Sequence, residues 1–224
     1  MLYSFGDTGI GTPPGPTGVV VGNDGTLYGA LNQGGESAPD CGAVGCGTVF
    51  SLTPPASPGG PWTPATLYTF TGGTDGGGPT GRVVIGPGGV LYGAVIAGGS
   101  EGGGAVFTLT PPASPGGPWT EATLFNFPVS GSGGAKPNGV VLAGSGKIYG
   151  TTENGGSPDC MGEGTQGCGV VFLLTPPASP GGAWTEDALY KFSSGPAPGP
   201  LVLKKGVLYG VDGYRTGEVF SLRP

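Results

Sequence analysis

The side chains of this chain that could do chemistry are carboxylates and cysteines, because the sequence contains no histidine. Several acids fall in Gly-rich segments typical of loops, and functional sites favour such loops. We take six of them as candidate ligand-binding residues: Asp7, Glu36, Asp40, Asp75, Glu153 and Asp159. Two carboxylates at a set separation could also cleave a glycosidic bond. None of these acids recurs at one position in every repeat of the chain, so we expect no catalytic residue and a protein that is not an enzyme.

Calcium could bind in these loops, and no other cofactor is expected. Hard cations take carboxylate and backbone carbonyl oxygens, and a loop such as Thr74-Asp75-Gly76-Gly77 offers both. A ring of carbonyls from the innermost strands of the fold described below could also hold an ion. Since the spacing matches no known calcium loop, the sequence leaves the metal open.

Four cysteines occupy two equivalent loops of the repeats. Cys41 and Cys46 lie in one loop, and Cys160 and Cys168 lie in the other. Three pairings are possible, but two cysteines within each short loop favour disulfides 41–46 and 160–168. A zinc site is the alternative, although the spacings differ from the tight spacing of zinc ribbons. Disulfides indicate an oxidising, extracytoplasmic setting.

Three tryptophans follow three copies of one phrase, Thr-Pro-Pro-Ala-Ser-Pro-Gly-Gly. The phrase occupies 53–60, 110–117 and 175–182, and Trp62, Trp119 and Trp184 each follow it after one intervening residue. An exposed aromatic side chain at a repeated position could stack on a sugar ring. The alternative is that each Trp anchors its long Pro-rich connection against the neighbouring repeat. We favour anchoring.

The elements that must position these residues are short strands. Each repeat holds up to four apolar runs, rich in β-branched and aromatic residues and bounded by Gly, Pro, Asn or Asp, which is typical of strands. The 53 glycines and 25 prolines argue against helices. In the first repeat the runs are 18–21, 27–29, 49–52 and 67–70, and the turn Asn23-Asp24-Gly25 between the first two predicts a tight hairpin.

The two ends of the chain suggest how the repeats are arranged. The chain opens with Leu2-Tyr3-Ser4-Phe5, a copy of the fourth run, and ends with Val219-Phe220-Ser221-Leu222, a copy of the third. We therefore predict an all-β fold, a four-bladed β-propeller with four antiparallel strands per blade and the N-terminal strand completing the last blade. It would be a single domain over 1–224, with units of about 6–70, 71–127, 128–192, and 193–224 plus 1–5. A fragment of a longer ring or an open solenoid is the alternative.

The composition limits the classes of molecule that the protein is expected to bind. The net charge is −6, and residues 1–135 hold seven acids but only one base, Arg82. Such a surface is a poor partner for nucleic acid or an anionic membrane. No segment approaches the 18 or so apolar residues of a membrane span, and Met1 leads directly into the first predicted strand without a secretory signal. A closed ring would be a monomer.

The repeat resembles the GloVer (Gloeobacter/Verrucomicrobia-type) tandem-repeat family of bacterial surface and secreted proteins. The resemblance rests on Leu-Tyr-Gly followed by Ala or Thr, on Gly-x-Val-Phe-x-Leu-Thr-Pro, and on Trp-Thr-x-x-x-Leu-Tyr-x-Phe, and it covers nearly the whole chain. It implies an exported protein, extracellular or at the cell surface, and supplies no catalytic residues.

Three functions are compatible with these observations. The first is a non-catalytic binding or scaffold module that recognises a glycan or a partner protein through the face carrying the cysteine loops. The second is a polysaccharide hydrolase or lyase with carboxylates at the mouth of the ring. The third is a structural element of a surface layer. We expect the first.

Overall fold

The computed structural model of the protein describes residues 2–5, 15–35, 39–130, 133–157, 167–179, 181–193, 198–212 and 217–224. Within these ranges the chain forms fifteen strands, one short 3-10 turn at Pro87–Gly89 and no α-helix. The strands form four antiparallel sheets, and strands adjacent in sequence pair in every sheet. Each sheet therefore corresponds to one sequence repeat, and we call them units 1 to 4.

The strand bounds follow the predicted apolar runs. Unit 1 holds β1 (Pro16–Val21), β2 (Leu27–Leu31), β3 (Thr48–Thr53) and β4 (Thr63–Thr69); unit 2 holds β5 (Gly77–Ile85), β6 (Leu91–Ala97), β7 (Gly102–Thr110) and β8 (Thr120–Pro128); unit 3 holds β9 (Gly134–Leu142), β10 (Ile148–Gly155), β11 (Val170–Thr175) and β12 (Thr185–Lys191); unit 4 holds β13 (Val202–Lys204), β14 (Val207–Asp212) and β15 (Glu218–Leu222).

The hairpin turns predicted between the first two strands of a unit are confirmed. In unit 1 the turn is closed by a 2.7 Å hydrogen bond from the Gly22 N–H to the Thr26 carbonyl, and Gly25 has a φ of 81°. Only glycine adopts that φ readily. The Asp24 carboxylate accepts hydrogen bonds from the Thr26 N–H (3.0 Å) and hydroxyl (2.9 Å), which lower the pKa of Asp24.

The repeated Tyr-Gly pair has a packing explanation. A Cβ added to Gly29, Gly93, Gly150 or Gly210 would lie 2.4–2.5 Å from the ring of the phenylalanine on the neighbouring strand of the same sheet. Such a contact is too short for two carbon atoms. The second strand of each unit therefore carries glycine because the aromatic ring of the third strand occupies the space above it. Those rings are Phe50, Phe107, Phe172 and Phe220.

The same rings join consecutive units. The Phe at or just beyond the end of each fourth strand meets the Phe on the third strand of the next unit, edge to face: Phe70 and Phe107 at 5.0 Å between ring centroids, Phe127 and Phe172 at 5.1 Å, and Phe192 and Phe220 at 5.4 Å. Aromatic pairs favour this geometry. The hydrophobic core is thus a series of clusters between sheets, and the all-β, propeller-like fold is confirmed.

The closing strand of the prediction is not formed within the described residues. In that part of the chain unit 4 has three strands, and residues 2–5 belong to no strand. Phe5 packs instead on Phe50 of unit 1, with ring centroids 4.6 Å apart. That position is the one Phe70 takes on Phe107, so the N-terminal segment lies where a fourth strand of a preceding unit would lie. Among the described residues, no strand pairs with the outer edge of β15.

Candidate functional site

The predicted ligand-binding residues were assigned to one edge of the units, which we call the loop face. It carries the loops between the second and third strands of each unit and the linkers between units. The Gly78 N–H at the start of β5 donates a 2.8 Å hydrogen bond to the Cys46 carbonyl, and a Cβ added to Gly72 in the preceding linker would lie 2.6 Å from the Cys41 sulfur. The linker and the cysteine loop therefore share one face.

The cysteines of the described residues are all in disulfides. Cys41 and Cys46 are bonded to each other, with a Cα–Cα distance of 5.1 Å. Cys168 is disulfide-bonded as well, and its predicted partner Cys160 lies outside the described residues. No free cysteine is present in the described part of the chain. The 41–46 pairing is confirmed.

Asp75 is buried inside the first linker. It is 8% exposed. Its carboxylate accepts hydrogen bonds from the Tyr68 hydroxyl (3.0 Å), the Thr71 N–H (2.9 Å) and the Thr71 hydroxyl. Burial raises the pKa of Tyr68, and the hydrogen bond to Asp75 raises it further. Asp75 therefore holds the linker between units 1 and 2 together, and its oxygens point into protein.

The other candidate acids are spread over the structure. Asp40 is exposed. It lies beside the linker, because a Cβ added to Gly72 would be 2.9 Å from the Asp40 Cβ. Glu153 is half-buried on β10. Three candidates lie outside the described residues: Asp7, Glu36 and Asp159. Within the described ranges no group of three or more His, Cys, Asp or Glu residues could hold a metal ion. Calcium stays a prediction.

The three tryptophans are half-buried, and Trp119 and Trp184 lie at junctions between units. Trp119 lies 6.1 Å, between ring centroids, from Tyr28 of the preceding unit. Trp184 packs in the hydrophobic cluster between units 2 and 3. Trp62 packs with Phe5 against the side of unit 1 that faces away from unit 2. This placement favours the anchoring role for the Pro-rich connections over sugar stacking.

Two half-buried carboxylates were not among the predicted site residues, because they lie on strands and the prediction selected acids in loops. Glu121 and Glu186 occupy equivalent positions at the start of β8 and β12. Burial raises the pKa of both, although hydrogen bonds from the Thr123 hydroxyl to Glu121 and from the Gly134 N–H to Glu186 oppose the shift. Oε1 of Glu186 has no hydrogen-bond partner among the described residues. Each carboxyl group faces the preceding linker.

A concave feature lies where the first strands of the four units converge. We call it the axial recess. Its volume is about 570 Å³, which is in the range of small-molecule sites. The wall is mostly aliphatic, and the lining residues are Val20, Val21, Asn23, Arg82, Val84, Ile85, Gly86, Val141, Leu142, Val202 and Leu203. These residues lie toward the carboxyl ends of the first strands, away from the loop face.

Arg82 is the only charged side chain in that lining. It comes from an irregularity in β5, where the pairing with β6 shifts between Thr80 and Val84. The sequence carried a signal for it, because the first run of unit 2 has one residue more than that of unit 1 and the extra residue is Arg82. A Cβ added to Gly18 would lie 3.4 Å from the Arg82 Cβ, so the arginine stands beside the first strand of unit 1.

The arrangement supplies a guanidinium group beside aliphatic side chains. A guanidinium presents planar paired donors that match a carboxylate or sulfate. The aliphatic residues would cover an apolar body. None of the six candidate acids lines this recess. In the described ranges, no helix has the length and apolar character needed to cross a membrane.

Comparison with known proteins gives one family and one fold. A model of the Gloeobacter/Verrucomicrobia repeat matches residues 1–221. The chain is similar to the X-ray structure of a candidate gluconolactonase, with a TM-score of 0.50 and 18% sequence identity over 97% of this chain and 60% of that one. The chain thus spans less than two thirds of that structure, and the likeness concerns the propeller fold. No curated sequence matches the chain.

Proposed function

The chain belongs to the Gloeobacter/Verrucomicrobia repeat family, and on that premise we propose that it is a non-catalytic binding module whose ligand occupies the axial recess. The ligand class is an organic anion with a carboxylate or sulfate beside an apolar body. The observation that carries the proposal is the single guanidinium of Arg82 in an otherwise uncharged, largely aliphatic lining. The Cys41–Cys46 disulfide supports an extracytoplasmic site of action.

The recess is a better ligand site than the loop face for two reasons. On the loop face, Asp75 is buried and its carboxylate already accepts three hydrogen bonds. The recess, in contrast, gathers side chains from the first strands of all four units around one charged group. A site on strands of the scaffold is also held more rigidly than a site on loops.

Titration calorimetry of the whole chain tests the proposal with decanoate, decanol and an oligogalacturonate as probes. We expect decanoate to bind and decanol to bind at least about tenfold more weakly, because a hydrogen bond to a charged group contributes about 1.5–3 kcal/mol. Arg82→Gln should weaken decanoate binding by about 10- to 100-fold for the same reason. Lys147→Gln removes one positive charge outside the recess lining and should leave binding unchanged.

Two results would contradict the proposal. Equal affinities for decanoate and decanol would remove the role of the guanidinium. Binding of the oligogalacturonate that survives Arg82→Gln would place recognition elsewhere, and would favour a glycan or protein site on the loop face.

An enzyme is the second candidate, and the fold shared with the candidate gluconolactonase favours it. Release of acid from glucono-lactone, followed by pH-stat with and without added calcium, tests it. Turnover that tracks the protein through purification would replace the binding module with a hydrolase. A polysaccharide hydrolase or lyase is tested in the same way with oligogalacturonate, by reducing ends or by absorbance of the unsaturated product.

A further inference from the structure

The hairpin that joins the first two strands of unit 4 carries charge where the hairpins of the other units carry small residues. The strand register makes the four hairpins comparable, because the last apolar residue of each first strand pairs with the first apolar residue of the second. The residue after that pair is Gly22 in unit 1, Gly86 in unit 2 and Ala143 in unit 3. In unit 4 it is Lys204.

Lys204 lies at the edge of the axial recess. Its equivalent Gly86 lines the recess, and so does Leu203, the residue before it. Val202 also lines the recess, and residues two apart on a strand point to the same side. The Lys204 side chain is exposed. Where unit 2 contributes a bare glycine backbone to the recess, unit 4 therefore places an ammonium group.

A second lysine follows in a tight turn. Lys205 has a φ of 50° and Gly206 a φ of 73°, and positive φ at both central residues is typical of the type I′ hairpin. The corresponding position of unit 1 is Asn23, which lines the recess. The turn thus holds the backbone of two consecutive lysines at this edge of the recess.

The hairpins make this side of the molecule positive, although the whole chain has a net charge of −6. Together the four hairpins contain three bases, Lys147, Lys204 and Lys205, and one acid, Asp24. The Asp24 carboxylate accepts two hydrogen bonds from Thr26 within its own turn. A local excess of positive charge attracts anions to the recess.

The two cationic positions are separated by apolar residues. Arg82 precedes Ile85 by three residues, and Lys204 follows Leu203, the equivalent of Ile85, by one. Four residue steps correspond to about 13 Å of strand. Aliphatic side chains that line the recess, such as Val84 and Ile85, lie along this length. The recess therefore has a cation near each end of an apolar stretch.

We propose that the ligand of the axial recess is a long-chain α,ω-dicarboxylate, with one carboxylate on Arg82 and the other on Lys204. This inference rests on the proposed function, because it requires the recess to be the ligand site. A chain with a single acid group would leave its apolar end beside the two lysines, whereas a second carboxylate meets their charge. Lys204 is thus the residue that distinguishes a diacid from a monoacid.

Titration calorimetry of the whole chain with decanedioate and its monomethyl half-ester tests this inference, because the two ligands have nearly the same length and differ in one charge. The parent should bind decanedioate about two- to fivefold more tightly, the range expected for an exposed ion pair. Added salt should reduce the difference. Lys204→Gln should abolish it and leave the affinity for the half-ester unchanged, which also shows that the variant is folded.

Two controls separate a second anchor from general attraction of charge. Lys147→Gln removes an equal charge on the same side, at a position whose equivalents Thr26 and Val90 lie outside the recess lining, and it should keep the preference for the diacid. Butanedioate is too short to reach both cations, so its affinity should be the same for the parent and for Lys204→Gln.

Equal affinities of the parent for decanedioate and the half-ester would overturn the inference, as would the same loss of preference in Lys147→Gln and Lys204→Gln. If binding of the half-ester still depends on Arg82 in that case, the proposed function stands without the second anchor. Failure of the parent to bind decanoate, decanedioate and the half-ester would overturn the proposed function and this inference together.

Discussion

Asp75 is the carboxylate that the structure uses most fully. Its acceptor positions are taken by Tyr68 and Thr71, so the side chain ties the end of β4 to the linker that leads into unit 2. Burying a carboxylate that accepts several hydrogen bonds costs little folding free energy. Removing it leaves its hydrogen-bond donors without an acceptor, which is destabilising. The energetic role of this residue is therefore local and structural.

Asp75→Ala should lower the free energy of unfolding by about 2–3 kcal/mol, because the Thr71 N–H and the Tyr68 hydroxyl lose their acceptor. Urea denaturation followed by fluorescence measures the loss, and the dependence on urea concentration should stay unchanged. Asp40→Ala, at an exposed carboxylate on the same face, is the control and should lie within about 0.5 kcal/mol of the parent. A smaller effect at Asp75 than at Asp40 would show that the linker does not depend on this side chain.

Glu186 should make stability fall as pH rises. Burial raises its pKa in the folded protein above the ordinary value of 4.5, so the folded state retains a proton that the unfolded state has lost. Stability is then fully present below pH 4.5 and is reduced as pH rises through the raised pKa. Glu186→Gln should be more stable than the parent at pH 7, by less than about 1 kcal/mol because the group is partly solvated.

Thermal unfolding at pH 4 and at pH 7 measures this difference, which should vanish at the lower pH. The control is Glu101→Gln, which changes the net charge equally at an exposed residue. A stabilisation of the Gln variant that is the same at both pH values would contradict the assignment to ionisation of Glu186.

At the scale of elements, the second and third strands of each unit fit together through glycine and phenylalanine. Gly93 shows the constraint: an added Cβ would lie 2.5 Å from Cζ of Phe107, which is itself fully buried. The ring also packs against Phe70 of unit 1, so it cannot withdraw without opening that junction.

Gly93→Ala should therefore destabilise the protein by about 1–3 kcal/mol, the usual cost of an overpacked core. Gly144→Ala is the matched control, because an added Cβ there meets nothing within 4 Å. Differential scanning calorimetry of the two variants compares them directly. Equal melting temperatures would mean that the aromatic ring has room to move.

Most of the strands and turns could be predicted from the sequence, because each has a recognisable residue pattern. Val, Tyr and Phe mark the strands, Asn23-Asp24-Gly25 marks a hairpin, and the spacing of Cys41 and Cys46 marks a disulfide that the structure contains. The axial recess had no such signal, since valines from four separate strands look like ordinary core residues until the strands converge. From the sequence, Asp75 looked free to bind a ligand. Tyr68, which donates a hydrogen bond to it, lies on a strand, and the residue pattern does not show toward which side the Tyr68 side chain points.

At the scale of the whole molecule, the repeats predict that the outer sides of units 1 and 4 are complementary, because each repeats one half of an internal junction. Whether one chain closes on itself depends on the angle at each junction, and that angle follows from the packing of whole side chains such as Phe70 on Phe107. No local pattern records it. The spare run at residues 2–5 predicted a fourth strand for unit 4, and among the described residues this segment packs Phe5 on Phe50 of unit 1 without forming that strand.

The aromatic contacts between units also bear on how such a chain can change over evolutionary time. In units 2 to 4 the phenylalanine of the third strand meets the same two neighbours, a glycine within its own sheet and the phenylalanine at the end of the preceding unit. An in-frame duplication or loss of one complete unit would leave every remaining junction with the partners it already has. Descendants of this gene can thus lengthen or shorten by whole units without redesigning the core.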